Sequence, residues 1–227
     1  MTHRAALFAA AILACCITPP AIAQMPLAPE RTVEANSIVS ERDPEVRVSV
    51  PETAVYVGAT RWHLYDVADA EVHVFVEAGE DRLVERFYWI QFEQYLPSRP
   101  DARYDYPESN PETATLSGRS VHVSAGFGPG SGHQSRPGSD SEAFRRLVAD
   151  NGYLLPRAMA SVRFVELFEP TQRKELMIIY GEDMTATVQA VGETLRSGAE
   201  GVTADDLYAP LIERARSRIA LDPPGND

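Results

Sequence analysis

Cysteine is nearly absent. The 227 residues hold two, Cys15 and Cys16, side by side in the most apolar stretch of the chain. A chain processed beyond them has no thiol, which excludes a disulfide framework, cysteine metal ligands and a cysteine nucleophile. Basic charge is also short: 21 Lys and Arg face 33 Asp and Glu, and Lys174 is the one lysine. The net charge of −12 repels phosphate backbones and anionic membrane surfaces, so nucleic acid is not an expected partner. After the N-terminal segment no run of about 18 apolar residues occurs, so no transmembrane span is expected.

The usual site motifs are missing too. The alternating glycines Gly126, Gly128, Gly130 and Gly132 form neither a dinucleotide fingerprint nor a P-loop, and no Lys follows them. A G-x-S-x-G elbow is absent, so Ser131, His133, Ser139 and Asp140 supply triad residue types without triad spacing. His63, His73, His122 and His133 make no H-E-x-x-H or H-x-x-x-H pair, so no metal and no cofactor is expected.

What the chain does have begins at its N-terminus. Arg4, the apolar run 5–17 and Ala21-Ile22-Ala23 give residues 1–23 the form of a secretory signal cleaved before Gln24, with a periplasmic or secreted product. Residues 12–15, ILAC, also resemble a lipobox, which would anchor the chain through a lipidated Cys15. Pro19-Pro20 ahead of Ala-Ile-Ala favours ordinary cleavage. Residues 24–43, with Pro26, Pro29 and no apolar period, are expected to be a disordered tether to a single domain over 44–227.

Residues 82–96, RLVERFYWIQFEQYL, organise that domain. They hold no Gly or Pro and are rich in aromatic and β-branched side chains, which predicts a long strand. Val84, Tyr88, Ile90, Phe92 and Leu96 alternate with Leu83, Phe87, Trp89 and Tyr95, so both faces are apolar and the strand is central. Period-two patterns at 46–50, 61–65, 71–77 and 120–127 predict further strands, and 159–168 with 175–180 predicts a hairpin. Residues 97–119, carrying four prolines with Tyr104 and Tyr106, are expected to be a long irregular loop. Ser139 to Glu142 reads as a capping box opening a helix that ends at Asn151-Gly152. Two more helices are expected over 185–196 and from Thr203 onward. The fold class is α+β: a curved antiparallel sheet of about six or seven strands, barrel-like at the extreme, with one internal and two C-terminal helices against one face.

The candidate ligand-binding residues are His63, His73, Trp89, Tyr104, Tyr106, His122 and His133, the polar-face histidines and the aromatics near the long loops. His63 and His73 lie on matching faces of neighbouring strands and are expected to approach each other. Glu85 and Glu93 flank Trp89 and Gln91 on one face, as a sugar site would require. The simpler account keeps Trp89 in the core and pairs the glutamates with Arg61, Arg86 or Arg163. The function expected is non-catalytic binding of a small apolar or aromatic ligand, or of an envelope protein. The rivals are a hydrolase using His133 or His122, and a lipid-anchored structural or assembly factor.

Overall fold

A computed structural model describes residues 27–106, 112–168, 170–196 and 204–225. The expected signal segment, Cys15 and residues 24–26 lie outside them. In chain order the strands are β1 (Thr32–Glu34), β2 (Ser37–Ser40), β3 (Val46–Ser49), β4 (Val55–Leu64), β5 (Ala68–Ala78), β6 (Val84–Tyr95), β7 (Glu112–Leu116) and β8 (Arg119–Pro129). Helix α1 (Asp140–Asp150), β9 (Ala158–Leu167), β10 (Lys174–Asp183), α2 (Thr185–Arg196), α3 (Ala204–Arg218) and β11 (Ala220–Asp222) follow.

Seven strands make one antiparallel sheet in the order β4-β5-β6-β10-β9-β8-β7, and four short ones make a second, β1-β2-β3-β11. The α+β architecture with an antiparallel sheet is therefore as the sequence predicts. The large sheet is open, with β4 and β7 at its edges rather than joined as a barrel. β6 and β10 sit side by side near its middle, with Ile90 opposite Ile178.

Both faces of these two strands are covered. Tyr88, Ile90 and Phe92 of β6 and Leu176, Ile178 and Tyr180 of β10 pack with the small sheet, with Leu211 and Ala215 of α3 and with Ile219 just after it. Phe87 and Trp89 face α1, whose Phe144 ring stacks on Trp89 at 4.9 Å and 17°. The helices thus divide between the two faces instead of sharing one, because a strand apolar on both sides needs cover on both. Gly181 lies opposite Phe87, and a Cβ there would fall 1.9 Å from the ring. Its bare backbone is what lets the ring lie flat across β10.

Several local expectations are corrected. The stretch expected as a tether carries β1 and β2, because Ile38 and Val39 are buried and Glu71 accepts hydrogen bonds from the amides of Glu30 and Arg31. The short strand expected at 61–65 is the end of the longer β4, which begins at Val55 and has a bulge between Tyr56 and Gly58. A second bulge, at Glu85 of β6 opposite Glu77 and Ala78 of β5, moves Val84 to the Phe87 face, so the alternation read from 84 to 96 fails at its first position. The irregular loop is shorter than expected, since its end forms β7, joined to β8 by Ser117-Gly118, both at positive φ. At the glycine loop, the Gly130 and Ser131 amides bond Arg157 and Pro156 carbonyls, and Arg136 lies over Tyr65.

Candidate functional site

The face of β6 turned toward α1 becomes polar beyond Trp89. Trp89, Gln91 and Glu93 point the same way by strand alternation and form one chain of hydrogen bonds. Trp89 Nε1–H donates to Gln91 Oε1 at 2.8 Å, and Gln91 Nε2–H donates to Glu93 Oε2 at 2.9 Å. On β10, Glu175 stands opposite Glu93 in register. Side chains on one rung of an antiparallel pair have Cβ atoms about 4.5–5.5 Å apart, so the two carboxyls are neighbours. Glu175 is 4 % exposed.

Residues 97–106 form a strap that crosses above this pair. Tyr104 Oη donates to Glu93 Oε1 at 2.7 Å, and Tyr106 Oη donates to Glu175 Oε2 at 2.8 Å. The Tyr104 ring stacks on Tyr95 at 4.3 Å, and the Tyr106 ring on His122 at 5.2 Å. Arg163, on β9, donates to Tyr106 Oη and lies over its ring. The base of the strap is held by Arg173, which donates to the carbonyls of Leu96, Pro100 and Ala102.

Electrostatics follow from this enclosure. Burial, reinforced by the charge of Glu93, pushes the Glu175 carboxyl up to about 7 against the pull of Tyr106 and Arg163. Burial also raises Glu93, although Tyr104 and Gln91 donate to it. Asp140, at the start of α1, adds negative charge to both. The carboxylates elsewhere on the sheet are treated differently. Glu71, Glu77, Glu166 and Glu182 each have an arginine within 3.2 Å. Glu93 and Glu175 have no ion-paired cation among the described residues. Beside them, Arg163 Nε and His122 Nδ1 are buried without a hydrogen-bond partner there.

The expected site residues therefore separate. Tyr104, Tyr106 and His122 come together at the pair. Trp89 backs it from the core, stacked on Phe144, and Glu85 is exposed at the bulge, away from Glu93. His73 is fully buried on the other face, its Nε2 2.8 Å from Glu71 Oε1 and its Nδ1 3.1 Å from Tyr56 Oη. His63 and His73 do not meet: His73 lies opposite Ala59 and His63 opposite Asp69, four residues along β4, or about 13 Å. His133 is exposed in the glycine loop, and Ser139 Oγ caps α1 by accepting from the Glu142 amide.

Glu175 and Arg163 are the members the sequence did not single out as ligand contacts. The signal was present in the two strands apolar on both faces. Aligning their centres, Ile90 on Ile178, places Glu175 against Glu93. No family model, curated protein or solved structure matches this chain. Function rests on the geometry.

Proposed function

We propose that this is a secreted, non-catalytic binding domain whose ligand is a small amine with an aromatic or alkyl body, held at the Glu93–Glu175 pair. One observation carries the proposal: two neighbouring carboxyls, Glu175 buried and Glu93 partly so, lack the ion-paired arginine that Glu71, Glu77, Glu166 and Glu182 have among the described residues. A buried carboxylate without a cation is costly, and an ammonium supplied from outside would offset its charge and donate hydrogen bonds to its oxygens. Tyr95 and Tyr104, stacked on each other, and Tyr106, stacked on His122, supply an aromatic surround for the ligand body beside the pair. Arg163 Nε and His122 Nδ1 would meet a polar group on the same ligand. The secretory character of residues 1–23 puts such a ligand, or an amine-bearing envelope partner, outside the cytoplasm.

A hydrolase at the glycine loop has less support, because His133 is exposed and Ser139 is committed to its cap. The test is a thermal-shift screen of the purified chain at pH 8 with aromatic and alkyl amines and the matched neutral alcohols. Stabilisation by amines alone supports the proposal. Equal response to the alcohols, or none to any amine, removes it.

A further inference from the structure

We propose that the strap over residues 97–106 is a pH-controlled lid, closed while the Glu93–Glu175 pair retains a proton and lifted when both carboxyls ionise. The inference rests on the binding site proposed above for its purpose, but the motion itself requires no ligand.

The strap is fastened in two different ways. Its base is fixed by Arg173 on the carbonyls of Leu96, Pro100 and Ala102, none of which titrates. Its far half is fastened by Tyr104 and Tyr106 to the two carboxyls, with the Tyr104 amide bonded to the Gln172 carbonyl at 2.8 Å. The hinge is therefore the Arg173 end, and the catch is the carboxyl pair.

Two ionised carboxylates on one rung repel each other, and under the strap they have little water to screen them. Lifting the strap hydrates them. A group that ionises more easily in the open state draws the protein toward that state as pH rises, by the same thermodynamic linkage that governs folding. The charged and titratable groups around the pair are few. Arg163 on β9 and the donating hydroxyls of Tyr104 and Tyr106 favour ionisation; burial, the second carboxyl and Asp140 on α1 oppose it and prevail, and Tyr95 and His122 complete the surround. Glu175 ionises near 7, which puts the transition between about pH 6 and 8.5.

Hydrogen exchange of the ligand-free chain, corrected for the intrinsic pH dependence of exchange, tests this. Protection of the Tyr104 amide should fall about tenfold from pH 6 to 8.5, while protection of the Arg99 and Ala102 amides at the base, and within β6 and β10, stays constant. In the Glu93→Gln/Glu175→Gln variant it should not change with pH. If that variant folds poorly, Glu175→Gln alone, which relieves the repulsion on Glu93, should shift the transition to lower pH or abolish it. Strap protection independent of pH in the native chain overturns the lid. So does a fall of equal size in the double variant. Amine binding at pH 8 without strap motion would retain the site and reject the lid, whereas motion without binding would do the reverse.

Discussion

Glu175 is where sequence and environment conflict most sharply. It is almost fully buried, faces another glutamate and has no ion-paired cation among the described residues. The unfolded chain releases this proton near 4.5 and the folded chain near 7. Between those values the folded state holds more protons, so raising the pH lowers stability. Glu175→Gln removes that penalty while keeping an acceptor for Tyr106. It should stabilise the protein by about 1–3 kcal/mol at pH 8 and by almost nothing at pH 4, in urea melts. Ile90 sits on the opposite face, fully buried against the small-sheet core. Ile90→Ala should cost about 2–5 kcal/mol, whereas the exposed His133→Ala should stay within about 0.5. Reversed magnitudes would mean that the glycine loop, not β6, supports the core.

At the scale of elements, β6 was legible because its residues decide it alone: no Gly, no Pro, and bulk on both faces. β10 was legible from the bulk on both faces of residues 176–180, ahead of Gly181. What joins them was not, since a rung partner is fixed by pairing across a long stretch of chain and not by local pattern. Bulges add to this, as a single extra residue turned Val84 to the other face. Residues 27–43 were misread because β1 and β2 are too short to show a period, and their anchor, Glu71, is forty residues away. The β6–β10 pairing makes its own prediction through Gly181. Gly181→Ala places a methyl in the Phe87 ring and should cost about 1–3 kcal/mol. Combining it with Phe87→Leu should recover part of the loss relative to the sum of the single changes, a coupling read from a double-mutant cycle.

For the whole molecule, the two faces of the large sheet carry opposite pH liabilities. On the small-sheet side, burial raises the Glu71 carboxyl, but His73, two backbone amides and Arg31 outweigh it and bring it down to about 2. That stability is present above about 4.5 and is lost as pH falls toward 2. Glu71→Gln should therefore destabilise the protein by about 2–3 kcal/mol at pH 7 and flatten its acid unfolding, as followed by circular dichroism. The α1 side is penalised from the other direction, above neutrality, by the Glu93–Glu175 pair. The fold thus supplies cations to the carboxylates it uses structurally and withholds one from the pair under the strap. Isothermal titration calorimetry at pH 8, with an arylalkyl amine that is active in the screen, tests that withheld cation most directly. The account predicts one site per chain in the native protein, with affinity reduced at least tenfold in Glu93→Gln/Glu175→Gln. Undiminished binding to that folded variant would contradict it.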